Sequence, residues 1–202
     1  MTKSVVCALV GIALEKDLLQ NVDQQLHQFF PEQLPPDNPL TIRRLLTMTA
    51  DYHFSVEPYE QYFASKDRVR FSLRCLRAGE PEGGFRDETG TNAAGWGLTL
   101  STRELARIGQ LYLNRGVWKE RRILPEDWVV QSSSVHSRWA QGGLGYGYLW
   151  WVIDPKERAF AAIGDAGTTL YVNEAKGLVV ATTARFVPNA PDRIGFIRQV
   201  LE

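Results

Sequence analysis

Four short apolar or β-branched runs late in the chain constrain its fold more than any other feature: Tyr148 to Ile153, Ala159 to Ile163, Leu170 to Asn173 and Leu178 to Thr183. Asp154-Pro155-Lys156-Glu157 separates the first two, and Asn173-Glu174-Ala175-Lys176-Gly177 separates the last two. Strand-length runs bounded by turn formers predict an antiparallel meander. Ile194, Ile197, Arg198 and Leu201 recur at helical spacing and predict a closing helix against that sheet. Ahead of the meander, Gly142-Gly143-Leu144-Gly145-Tyr146-Gly147 has aromatics where a phosphate cradle needs small or cationic residues. It predicts a tight turn, packed by aromatics, leading into a strand.

Upstream the periodicity is helical. The run from Val5 to Leu14 is interrupted only at Glu15-Lys16-Asp17 and is too short to span a bilayer, which takes about 20 apolar residues. It is similar to the apolar part of a signal peptide, but no small-x-small cleavage site follows. The favoured expectation is a helix from about Thr2 to about Leu19, buried on most sides. Asn21 to Pro31 predicts a short amphipathic segment closed by proline, and Pro35-Pro36-Asp37-Asn38-Pro39 a stiff connection. Thr41 is placed to cap a brief helix through Met48. Residues 50–92 are the least periodic part of the chain. Ser101-Thr102-Arg103-Glu104 has capping-box spacing, after which Leu105, Ile108, Leu111 and Tyr112 share a face and Gly116 supplies a stop. Pro125 opens another helical turn at Glu126-Asp127-Trp128-Val129. Helices first and a sheet last indicate a mixed α and β domain.

Composition excludes several function classes. The 202 residues carry 23 Lys and Arg against 23 Asp and Glu, so no global basic field argues for nucleic acid. Two cysteines, Cys7 and Cys75, make neither a disulfide framework nor a zinc site, and leave the cellular compartment open. His27, His53 and His136 are too scattered to suggest a metal, and no residue pattern points to an organic cofactor. A G-x-S-x-G elbow, a P-loop and a G-x-G-x-x-G fingerprint are all absent from the sequence.

Five blocks resemble the serine-reactive β-lactamase and penicillin-binding-protein superfamily, in particular its class C-like branch of esterases and 6-aminohexanoate-oligomer hydrolases. They are Met1-Thr2-Lys3-Ser4 with Ala8 to Ala13, Thr41 to Thr49, Trp96-Gly97-Leu98 with Arg103 to Asn114, Tyr146 to Trp151, and Leu170 to Val180. They occur in the family's order and cover most of the chain. The resemblance implies an α+β, β-lactamase-like fold, an antiparallel sheet flanked by helices. It also implies that the fold is incomplete, with N-terminal strands and part of the helical region missing. One partial domain then covers 1–202, mainly helical over 1–140, with antiparallel strands and a C-terminal helix over 141–202.

The family's catalysis rests on S-x-x-K at the start of a buried helix, where serine and lysine share a face. Met1-Thr2-Lys3 matches x-x-K, which makes Lys3 the implied catalytic amine and places the nucleophile before Met1. Ser4 is adjacent to Lys3, about 100° away around a helix, and is a poor substitute. The family's Y-x-N tyrosine has no counterpart, because Asp87-Glu88-Thr89 stands where that motif begins. Gly164-Asp165-Ala166-Gly167-Thr168 occupies the place of the Lys-Thr-Gly-like triplet on the strand lining the cleft. This makes Asp165, Ala166, Gly167 and Thr168 the implied substrate-binding residues, with an N–H near Thr168 as an oxyanion donor and Asp165 repelling anionic ligands. Intact relatives hydrolyse small-molecule esters or amides through a serine acyl-enzyme.

The resulting expectation is a truncated or degenerate serine hydrolase, inactive as written. The competing expectation is a non-catalytic ligand-binding or interaction module that retains the fold and its six tryptophans. Missing N-terminal strands would leave one sheet edge unpaired and open to self-association.

Overall fold

The structure, a computed structural model, describes residues 1–50, 98, 100–138, 143–164, 167–184, 195 and 199. The expected closing helix falls almost entirely outside these residues, as do His53, Cys75, Asp87-Glu88-Thr89, Asp165 and Ala166. The chain divides into two compact units, one formed by Met1–Leu18 with Leu98–Glu202 and the other by Leu19–Gly97.

In the first unit, α1 (Thr2–Glu15) ends earlier than expected. Lys16 and Asp17 turn the chain, and Asp17 takes a left-handed φ of 55°, so the helix cannot run on to Leu19. Nor is α1 buried on most sides. Ser4, Cys7, Ala8 and Gly11 make one buried stripe, while Leu9 is 58 % exposed. The spacing of that stripe is the i, i+3, i+4, i+7 of a single helix face, which is what packing requires even where the sequence is apolar all round.

Helix α3 (Thr102–Leu113) starts with the expected capping box. The Ser101 hydroxyl accepts the Glu104 N–H at 3.3 Å, and a Glu104 carboxylate oxygen accepts the Ser101 N–H at 2.8 Å. A two-stranded hairpin, β1 (Val117–Trp118) and β2 (Arg121–Arg122), follows at a place where no alternation announces strands. Pro125 then stands at the N-cap position of α4 (Glu126–Ser132), just outside its first turn and with no side-chain cap bond.

Among the described residues the main sheet has six antiparallel strands in sequence order: β3 (Ser137–Arg138), β4 (Gly145–Tyr146), β5 (Trp151–Asp154), β6 (Ala159–Ile163), β7 (Thr169–Asn173) and β8 (Leu178–Thr182). The predicted meander is therefore present, with the first run shortened. Tyr148 to Trp150 belong to a turn closed by Gly147 N–H donating to the Trp150 carbonyl at 2.8 Å, with Leu149 at φ 60°. The glycine-rich segment is partly strand, since Gly145 and Tyr146 pair with Val152 and Trp151.

Register assigns the sheet's two faces. Val152, Phe160, Val172 and Val179 are cross-strand neighbours on one face. This face carries α3, because a Cβ on Gly109 would stand 2.6 Å from Val179 and 2.7 Å from Leu170. Glycine lets the helix backbone approach that closely. Tyr112, Trp150 and Phe160 fill the space beyond, with ring centroids 4.6 to 6.0 Å apart. Tyr146, Trp151, Ala161, Tyr171 and Val180 form the ladder on the opposite face, where Ala161 and Tyr171 are also buried.

The second unit, described over 19–50, holds a 3-10 turn (Leu26–Gln28) and α2 (Ile42–Leu46). The Thr41 hydroxyl caps α2 by accepting the Arg44 N–H at 3.3 Å. A Gln25–Thr41 bridge and the Asp23–Arg43 ion pair tie its two ends together.

Candidate active site

Helix α1 begins beside the turn joining β6 to β7. The Met1 amino group donates to the Ile163 carbonyl at 3.4 Å. Gly164 faces the same residue: a Cβ built there would lie 3.7 Å from Met1 Cβ. Met1 and Ile163, 162 residues apart in sequence, thus bring the x-x-K segment beside the start of the Gly164–Thr168 segment at one end of the sheet. Lys3 lies two residues into α1 and is half-buried.

The turn itself is held by its own backbone. Gly164 N–H donates to the Thr168 carbonyl and Gly167 N–H to the Gly164 carbonyl, each at 2.9 Å. Gly167 has φ 99°, a conformation glycine adopts without strain. Its carbonyl accepts the hydroxyls of Thr169 at 3.3 Å and Thr182 at 3.5 Å, which locks the turn to β7 and β8. Gly167 is buried and Thr168 half-buried. Asp165 and Ala166, between them, lie outside the described residues.

Ser4 has a different occupation from nucleophile. It is 3 % exposed, and its hydroxyl donates to the Leu149 carbonyl at 2.6 Å. One turn on, the Cys7 carbonyl accepts the Trp128 indole N–H at 3.0 Å, and the same ring covers Gly11. The side chains around Cys7 are buried acids rather than reagents. Burial pushes the Cys7 thiol up to about 12, and the Tyr146 phenol likewise up to about 12. The fully buried Tyr112 phenol is raised well above its ordinary value, again by burial first and the neighbouring Cys7 second. A thiol held protonated at neutral pH is no nucleophile.

Sequence reasoning missed the groups that seat α1. Leu149 and Ile163 contribute backbone carbonyls, which no side-chain pattern encodes. Trp128 with Gly11 had a usable signal, a glycine inside an otherwise apolar helix. Among the described residues no cluster of His, Cys, Asp or Glu is arranged to hold a metal ion. No described helix is long and apolar enough to cross a membrane.

An antiparallel sheet flanked by helices, with a lysine-bearing helix starting at the mouth of an inner hairpin, has the architecture of the β-lactamase-like fold. Solved structures place the chain there. A Bacillus anthracis protein assigned as a 6-aminohexanoate-dimer hydrolase superposes with a TM-score of 0.72 at 16 % identity, over 99 % of this chain and 69 % of its own. A protein from Bacteroides dorei assigned as a β-lactamase gives 0.59 at 13 %, and a penicillin-binding protein homologue from Caulobacter crescentus gives 0.63 at 13 %. Each of these two matches covers 91 % of this chain and 76 % of the other. No protein-family model matches the sequence.

Proposed function

We propose that the chain carries the lysine-bearing helix and the cleft strand of a serine acyl-transfer hydrolase acting on small esters or amides. We further propose that the 202 residues alone are catalytically silent. One observation supports this reading: Met1, which opens the x-x-K segment, lies beside Ile163 and Gly164, where the implied substrate-binding segment begins. One fold neighbour is assigned as a 6-aminohexanoate-dimer hydrolase, which supports a hydrolase reading.

In this reading a serine hydroxyl passes its proton to the Lys3 amine while its oxygen adds to the substrate carbonyl. The N–H near Thr168 donates to the developing oxyanion; the intermediate then collapses, its C–O or C–N bond breaks, and the departing alcohol or amine takes the proton back from Lys3. Water, giving its proton to the same amine, next cleaves the acyl-serine ester to release the acid and restore the serine. Ser4, the serine beside Lys3, spends its proton on Leu149 and is not poised to attack. A site that works without its nucleophile keeps at best about 10³ to 10⁴-fold of acceleration where the rest of it is intact. The test is turnover of p-nitrophenyl acetate and nitrocefin by the chain and by Lys3→Ala, with a fluorophosphonate probe read by peptide mass spectrometry. Equal background rates and no labelled serine are expected. Faster turnover by the parent chain, or a fluorophosphonate adduct on Ser4, overturns the proposed silence.

Self-association belongs to the same proposal. β8 pairs with β7 on one side and, among the described residues, with no strand on the other. Its sequence from Leu178 to Thr182 holds no charge or proline to discourage pairing. Light scattering that finds only monomer at high concentration removes that part.

A further inference from the structure

We propose that Ser4 is a positioning residue: its bond to Leu149 fixes the rotation of α1, and with it the bearing of the adjacent Lys3. The inference rests on the reading of Lys3 as the site's amine.

Most of what α1 buries is apolar and without direction. Val5, Val6, Val10 and Ile12 are half-buried, so a small roll of the helix trades one aliphatic contact for another. Directional contacts decide the roll. Trp128 reaches the Cys7 carbonyl at 3.0 Å, which fixes the helix near its second turn. Ser4 makes the corresponding contact in the first turn, next to the amine, at 2.6 Å and 3 % exposure. Its acceptor is unusual. Leu149 holds a left-handed φ of 60°, a conformation that bulky residues avoid, in a turn closed by the Gly147–Trp150 hydrogen bond. The strained residue presents its carbonyl to the helix, and the serine hydroxyl satisfies it.

Adjacent helical positions are separated by about 100°, so the rotation at Ser4 is inherited directly by Lys3. A net hydrogen bond of ordinary strength corresponds to about a three- to tenfold population bias. That is enough to hold the amine in one bearing against a slightly rolled alternative.

The experiment is limited reductive methylation of the full chain with formaldehyde, comparing the rate at Lys3 with that at Lys156 by peptide mass spectrometry. In Ser4→Ala, folded by circular dichroism, the Lys3 to Lys156 ratio should rise about three- to tenfold. Ser4→Thr, which keeps the hydroxyl, should restore the parent ratio. An unchanged ratio in folded Ser4→Ala overturns the proposal, as does a raised ratio that Ser4→Thr fails to restore. If Ser4→Ala does not fold, Ser4→Cys, of similar size but a weak donor, makes the same comparison and decides by the same criterion. The ratio reports where the amine sits, whether or not acyl transfer occurs. Its failure therefore leaves the turnover assays standing, and their failure leaves it standing.

Discussion

The indole nitrogen of Trp128 donates to the Cys7 carbonyl at 3.0 Å, and this bond joins α4 to the buried stripe of α1. The ring lies so close to Gly11 that any Cβ there would overlap it. Gly11 is thus a packing residue, and a glycine-to-alanine change, normally worth about 1 kcal/mol of stabilisation inside a helix, has the opposite sign here.

Gly11→Ala should destabilise the first unit by about 1 to 3 kcal/mol, the range for overpacking a tight core. Urea unfolding followed by tryptophan fluorescence reads it. Trp128→Phe should cost about 1 kcal/mol or more, through the lost N–H donor and the thinner ring. In that background the Gly11→Ala penalty should shrink, because the two changes share one contact. A penalty of the same size in both backgrounds would mean that the ring is not what Gly11 accommodates.

The β1–β2 hairpin turns through Lys119 and Glu120, both at positive φ, 46° and 65°. Two-residue hairpin loops of this hand favour Asn-Gly, and two ordinary side chains there carry strain. Replacing Lys119-Glu120 with Asn-Gly should stabilise the chain by about 1 kcal/mol, or about 2 to 4 °C in the thermal midpoint. An unchanged or lower midpoint would show that Lys119 or Glu120 contributes more through its side chain than it loses in its backbone.

Two exposed carboxylates set part of the acid limb of stability. Asp23 is lowered from its ordinary 3.8, first by its hydrogen bonds from Arg43 at 2.6 and 2.8 Å. Glu104 is lowered from 4.5, first by the Ser101 N–H and then by the Ser101 hydroxyl. A carboxylate depressed in the folded state contributes stability that is fully present above its unfolded value. That contribution is lost as pH falls through the folded value. Asp23→Asn and Glu104→Gln should therefore lower the urea midpoint at pH 7 and converge with the parent as the pH falls through the depressed folded values. Both effects are small because both groups face solvent. A gap that does not narrow at all as the pH is lowered from 7 into the acid-unfolding range would assign the loss to packing rather than charge.

How much of this was legible in the sequence depends on whether side chains or main chain do the work. The runs Ala159 to Ile163, Leu170 to Asn173 and Leu178 to Thr183 announce β6, β7 and β8 because apolar and β-branched runs bounded by turn residues are side-chain properties. The capping box at Ser101 and the cap at Thr41 are legible for the same reason. The β1–β2 hairpin is not, since Lys-Glu is a poor advertisement for its turn. The early end of α1 at Glu15 is set by a left-handed Asp17, which the apolar run before it does not foretell. At the candidate site, Lys3 and Gly167 were identifiable from the family resemblance. The contacts that bring their segments together run through the carbonyl of Ile163 and the backbone of Gly164, and any residue type supplies a carbonyl.

Because the join between α1 and the β6–β7 turn is made largely of peptide atoms, the scaffold and its reagents can diverge at different speeds. The bond from the Met1 amino group to the Ile163 carbonyl does not depend on which side chain stands at 168, and the turn keeps its form provided glycine is kept at 167. The same seating will accept other chemistries. A designer wishing to install a new reactive group at this mouth would inherit its placement from the chain already in hand.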